Sequence, residues 1–114
     1  MVERIPKDEA GFPGKKLLVV EVISEGPHCV PCQYAIAAVK HISEFYQGRV
    51  EFKVVETKKP EDVARYFDLC RINGAPIPVP AIVIAGKLAF DQIPGPEELR
   101  RRLDIALQEW ESDA

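Results

Sequence analysis

Cys29 and Cys32, separated by two residues, are the side chains of this sequence best suited to covalent chemistry. They lie in the stretch Gly26-Pro27-His28-Cys29-Val30-Pro31-Cys32-Gln33. Before it comes an apolar run, Leu17 to Ile23; after it Ile36, Val39, Ile42 and Tyr46 recur at helical spacing. A Cys-x-x-Cys pair between a strand and a helix is a setting for thiol–disulfide exchange. One thiolate attacks a disulfide, and a second thiol close by resolves the mixed disulfide. The first helical turn favours the thiolate, because its N–H groups lack partners in the helix and the positive end of the dipole faces the first sulfur. A free cysteine titrates near 8.5, and such a site brings it to about 3.5–7.5. Two units amount to about 2.7 kcal/mol of preference for the thiolate. Pro31 suits the first turn, where a missing N–H matters little. The competing chemistry is half of a zinc site. Structural zinc takes four ligands; His28, His41 and Cys70 are the other usual soft ligands, and they form no second Cys-x-x-Cys. No metal site is expected.

The elements that must hold these cysteines can be read in chain order. Residues 1–16 carry Pro6, Gly11, Pro13 and Gly14 and no clean period, which predicts an irregular N-terminal arm; residues 17–114 form the domain. Leu17 to Ile23 is the near-continuous, valine-rich run of a strand buried on both faces. A helix is predicted from about Pro31 to Tyr46, stopped by Gly48. Val50 to Val55 alternates and is a second strand. Lys58-Lys59-Pro60-Glu61-Asp62 opens a second helix, with proline and acids suited to a first turn; Val63, Ala64, Phe67 and Cys70 mark its apolar side, and Asn73-Gly74 ends it. Ala75 to Pro80 is a rigid, extended approach. Ala81 to Ile84, a turn at Ala85-Gly86-Lys87, and Leu88 to Phe90 read as a hairpin. Pro94 to Glu98 starts a last helix with Leu99, Leu103, Ala106, Leu107 and Trp110 as one apolar, core-facing stripe. Strands separated by helices pair in parallel through right-handed crossovers, and the hairpin adds an antiparallel strand. The fold class expected is α/β: a four-stranded mixed sheet with helices on both faces.

Bulk properties narrow the function. The 114 residues suffice for one domain. With 46% hydrophobic and 29% charged residues, the composition is that of a globular protein. A net charge of −3 argues against a nucleic-acid partner. No run approaches the length of a membrane span, and Met1 to Glu9 has no apolar signal core, so a cytoplasmic protein, free of membranes and monomeric, is expected. Three cysteines are too few and too odd in number for a secreted disulfide framework.

The order of elements, with Cys29-Val30-Pro31-Cys32 after the first strand and Val79-Pro80-Ala81 before the third, resembles the thioredoxin superfamily over roughly residues 16–111. It is most similar to the small, glutaredoxin-sized members. The resemblance implies a thioredoxin-like fold and an oxidoreductase that exchanges disulfides with protein partners. It makes Cys29 the exposed nucleophile and Cys32 the partly buried resolving thiol, with no organic cofactor. It implies electrons from a flavin-dependent thioredoxin-type reductase or from glutathione. Pro80 matches the family's cis-proline, and a cis bond there leaves the Val79 backbone free to pair with an extended substrate. The substrate surface is thus expected to comprise His28, Val30, Pro31, Val79 and Pro80. Three departures qualify the likeness. His28 replaces the family's tryptophan, and either supports the thiolate as imidazolium or is a solvent-exposed loop histidine. Ile23 stands where thioredoxins carry a buried acid, six residues before the first cysteine. Asp91-Gln92-Ile93-Pro94-Gly95 departs from the glutathione-binding pattern of glutaredoxins. Glu21, in the apolar strand, is expected to reach the rim or pair with a Lys or Arg, the alternative being a proton acceptor for Cys32. Cys70 is expected to be a small buried hydrophobe, Arg100 to Arg102 a solvated face, and Pro76 and Pro78 stiffeners of their loop. Two other functions compete: a non-catalytic thioredoxin-like binding or assembly module, and a metal-binding protein using the same cysteines.

Overall fold

In the computed structural model, which describes residues 17–112, the apolar run becomes β1, Leu18–Ser24. The arm expected over residues 1–16 lies outside the described residues. There follow α1 (Val30–Ser43), a 3-10 turn (Glu44–Tyr46), β2 (Val50–Glu56), α2 (Pro60–Asn73), β3 (Ala81–Ile84), β4 (Lys87–Phe90) and α3 (Pro96–Ser112). The order strand, helix, strand, helix, strand, strand, helix is the one expected. Several boundaries move for local reasons. Helix α1 starts at Val30 because Cys29 caps it, and it tightens to 3-10 geometry after Ser43. Helix α3 starts at Pro96 rather than Pro94, and the Gly95 carbonyl accepts the Leu99 N–H at 3.0 Å. The hairpin turn is only Ala85-Gly86, with φ of 53° and 82°. Two successive left-handed residues form the primed turn that matches strand twist, so Lys87 belongs to β4.

The sheet order is β2-β1-β3-β4. Strands β1 and β2 run parallel, from Leu18 opposite Val50 to Ser24 opposite Glu56. Strand β3 lies antiparallel to β1, with Val20 opposite Ile84 and Ile23 opposite Ala81, and β4 is antiparallel to β3. The alternation of β1 and β3 then sorts the core into two layers. Leu18, Val20, Val22, Ile82 and Ile84 face Ala35, Val39 and Ile42 of α1 and Leu99, Leu103 and Leu107 of α3. Ile23, Ala81 and Val83 face the other way, with Val55, Ile77 and Leu69 of α2. The mixed sheet with helices on both faces is therefore present.

Packing rather than propensity holds the helices. Burying each of Leu99, Leu103 and Leu107 is worth about 1.5–3 kcal/mol, against less than about 0.7 kcal/mol per residue for ordinary differences in helix propensity. Ala106 and Trp110 are half-buried and pack against this core at its edge, as the stripe predicts. One expectation about the helix faces needs correction. Phe67 is 61% exposed: α2 turns Tyr66, Leu69 and Cys70 to the sheet, and the 100° step per residue carries Phe67 outward. At its far end α2 is tied to the hairpin, since Asn73 Nδ2 donates to the Gly86 carbonyl and Asn73 Oδ1 accepts the Leu88 N–H.

This topology gathers the C-terminal ends of β1 and β2, the first turns of α1 and α2, and the start of β3 at one end of the sheet. Both cysteines of the Cys-x-x-Cys pair are at that end.

Candidate active site

Cys29 is the N-cap of α1. Its backbone is extended, with φ −87° and ψ 105°, and its sulfur accepts the Cys32 N–H at 3.3 Å. A sulfur thus occupies the place that a Ser or Asp oxygen takes in an ordinary cap, where an unpaired amide and the helix dipole both favour negative charge. Pro31 falls within the first turn and withholds no needed donor. Cys29 and Cys32 are joined as a disulfide, with their Cα atoms 5.2 Å apart. Cys29 is half-buried, and Cys32 is fully buried rather than partly so. Of this pair, only Cys29 keeps any exposed surface.

The loop before Cys29 contributes groups that sequence reasoning passed over. Ser24, fully buried at the end of β1, accepts the Gly26 N–H on its Oγ at 3.0 Å. The Gly26 carbonyl accepts the Cys29 N–H at 3.1 Å and Gln33 Nε2 at 3.3 Å. Between these anchors the Glu25 N–H points at Cys32 Sγ, 3.4 Å away. Gly26 is buried with φ 129°, a conformation that side chains other than glycine rarely adopt; a β-carbon there would meet the His28 ring at 3.4 Å. The Ser-x-Gly spacing ahead of the cysteines was the available signal, since a Ser hydroxyl readily bonds its own backbone two residues on.

His28 is exposed, with its ring against Gly26. Val30 is 60% exposed and Pro31 is exposed, both on the first turn beside Cys29. Tyr34, one turn after Val30, is also exposed and extends this apolar strip. Val79 and Pro80 are half-buried, and the peptide bond between them is cis. The register that sets Ala81 opposite Ile23 puts them at the cysteine end of the sheet. Their approach is fastened to α2: buried Ile77 donates its N–H to Cys70 Sγ at 3.4 Å, and its carbonyl accepts the Tyr66 hydroxyl at 2.7 Å. Cys70 is therefore a half-buried hydrogen-bond acceptor rather than a plain hydrophobe. Burial pushes the Tyr66 phenol above its ordinary range. Pro76 and Pro78 are exposed.

Glu21 is buried, but it is held by Arg65 of α2 and not by a cysteine. Arg65 Nε and Nη2 reach its two carboxylate oxygens at 2.8 and 2.9 Å. This fork satisfies an otherwise costly buried carboxylate, and it raises the Arg65 guanidinium further above its ordinary range. Ile23 is fully buried in the apolar layer toward α2, so the position of the thioredoxin acid is occupied by hydrocarbon. Among the described residues, no group of three or more His, Cys, Asp or Glu stands together so as to hold a metal ion. No helix among them is long and apolar enough to cross a membrane.

No protein-family profile matches this sequence, and no curated protein matches it. Solved structures do. Chloroplastic thioredoxin z superposes with a TM-score of 0.58 at 15% identity, covering 79% of this chain and 78% of that one. A malarial protein superposes with a TM-score of 0.57 at 17% identity, covering 81% of this chain and 99% of that one. At such identities the likeness concerns architecture. Together with the sheet order and the Cys-x-x-Cys pair after β1, it establishes that this chain has the thioredoxin-like α/β fold.

Proposed function

We propose that this protein is a thiol–disulfide oxidoreductase that exchanges disulfides with protein substrates through Cys29 and Cys32. The observation that carries the reading is the cap: Cys29 Sγ accepts the Cys32 N–H at the start of α1 while it is bonded to Cys32 itself. In the reduced protein the same amide favours the Cys29 thiolate. That thiolate attacks one sulfur of a substrate disulfide and releases the other substrate sulfur as a thiolate. Cys32 then attacks Cys29 Sγ, the Cys29–Cys32 bond forms, and the remaining substrate sulfur leaves with the electron pair. The substrate gains two electrons and the cysteine pair loses two.

His28, Val30 and Pro31 supply the surface around the nucleophile. The Val79 backbone, next to cis-Pro80, supplies a β-type contact for an extended chain. Electrons come from a flavin-dependent thioredoxin-type reductase or from glutathione, and the protein acts as a monomer in a reducing, cytoplasmic setting. No organic cofactor takes part.

Trapping tests this reading. Cys32→Ser, incubated with a disulfide-bonded protein substrate, should accumulate a mixed disulfide through Cys29. Cys29→Ser should reduce the substrate no faster than buffer. Full activity in Cys29→Ser would leave the non-catalytic scaffold as the better reading, and stoichiometric zinc or copper without exchange activity would favour the metal-binding one.

A further inference from the structure

The redox reading leaves one chemical gap, the deprotonation of Cys32. This thiol is fully buried, and burial in apolar surroundings disfavours its thiolate. The acid that thioredoxins place nearby is replaced by Ile23. Glu21, on the same strand face, is engaged by Arg65 through both oxygens. The other ionisable groups around this loop are Glu25 and His28 within it, and Glu56 at the end of β2. Lys59 pairs with the Glu56 carboxylate at 3.5 Å, and Asp62 Oδ2 accepts the Glu56 N–H. None of these side chains is hydrogen-bonded to Cys32. The donor that does reach Cys32 Sγ is the Glu25 N–H.

An amide in a loop points at a buried sulfur only if its neighbours are fixed. Here both are. Ser24 ends β1 with its carbonyl accepting the Thr57 N–H at 2.9 Å and its Oγ accepting the Gly26 N–H at 3.0 Å. Gly26 is held in turn by Cys29 and Gln33 through its carbonyl. We propose that Ser24 is a positioning residue of the redox centre: its hydroxyl fixes the turn that aims the Glu25 N–H at Cys32 Sγ, and that N–H stabilises the Cys32 thiolate in the resolving step. A hydrogen bond to a charged sulfur is stronger than one to a neutral thiol, so the donor acts when the proton has left. The balance is simple. Cys32 gives its proton to water, its electron pair forms the bond to Cys29 Sγ, and the second substrate sulfur leaves as a thiolate that takes a proton from water. Ser24 gains and loses nothing.

The inference rests on the proposed dithiol chemistry, and the test separates the two. Fully reduced protein is mixed with an excess of an aryl disulfide whose released thiol is coloured. The first equivalent of aryl thiol reports attack by Cys29, and the second is assigned to resolution by Cys32 where peptide mapping finds the Cys29–Cys32 disulfide and no aryl adduct on Cys70, the chain's free cysteine. Wild type giving no second equivalent would defeat the underlying reading itself. Ser24→Ala should leave the first phase unchanged, slow the second about tenfold at neutral pH, and move its pH profile to higher pH. Ser24→Thr should restore the second phase. An unchanged second phase in Ser24→Ala, or equal slowing of both phases, would overturn the inference. A measurement on wild type guards against a variant that fails to fold: the Glu25 amide resonance of the reduced protein should titrate together with the Cys32 Cβ signal. A Cys32 titration that leaves the Glu25 amide unmoved would also overturn it.

Discussion

Removing Arg65 should destabilise this protein more than its half-exposed position suggests, because what matters is the charge it leaves behind. The Glu21 side chain is 3% exposed, and that of Arg65 is 41% exposed. With charge centres about 4 Å apart and an effective dielectric constant near 20, the attraction is about 4 kcal/mol. Solvent at the Arg65 side screens part of it, so about 2–3 kcal/mol is expected for Arg65→Leu, below the usual range of about 3–5 kcal/mol for breaking a fully buried pair. For a domain of about 100 residues this lowers Tm by about 10–20 °C. The double variant Glu21→Leu/Arg65→Leu should return to within about 1 kcal/mol of wild type, because well-packed hydrocarbon replaces such pairs at little cost. Urea unfolding of the four proteins, read as a double-mutant cycle, measures the coupling. An Arg65→Leu variant within 0.5 kcal/mol of wild type, on the order of an ordinary surface change, would refute the reasoning. So would a double variant as unstable as the single one.

Two further outcomes follow from the same structure. Tyr46→Phe loses the hydroxyl bond to Asp104 Oδ1 at 2.7 Å and should lower stability at pH 7 by about 1 kcal/mol. Burial and, after it, the Asp104 bond raise the folded-state titration of Tyr46 above 10.0. The stabilisation is therefore present below the unfolded value and lost as pH rises through the folded one, so the difference between the two proteins should close above about pH 10; a constant difference in urea titrations across that range would contradict it. Ala85→Asn should raise stability by about 0.5–1 kcal/mol, because Ala85 holds φ 53° ahead of Gly86 and Asn-Gly is the favoured pair for this turn. A Tm at or below that of wild type would contradict it.

The core could be read from the sequence because its signals are local and redundant. The valine run of β1, the alternation of β2 and the leucine stripe of α3 each have one compact solution, and these solutions agree in a single sheet. The Cys-x-x-Cys site was readable for the same reason, since its spacing places one sulfur at a helix cap. Other features depend on partners distant in sequence. Glu21 and Arg65 are 44 residues apart, so the strand's acid could be given a type of partner but not a particular one. The inward side of α2 depends on a rotation that its meeting with the sheet sets: Tyr66, Leu69 and Cys70 face in and Phe67 faces out. The donor to Cys32 is a backbone N–H, which no residue type announces; only the serine and glycine that hold it are visible in the chain.

A redox titration of the cysteine pair tests the central claim most directly. The protein is equilibrated over a series of thiol–disulfide buffers, quenched in acid, alkylated and weighed, and the labelled cysteines are located by peptide mapping. Cys29 and Cys32 should gain and lose their labels together in one two-electron transition. Its midpoint should fall between about −270 mV, a reductant's value, and about −120 mV, an oxidant's. Cys70 should be labelled after denaturation at every poise. Independent labelling of Cys29 and Cys32, or no disulfide between them at the most oxidising poise, would contradict the account.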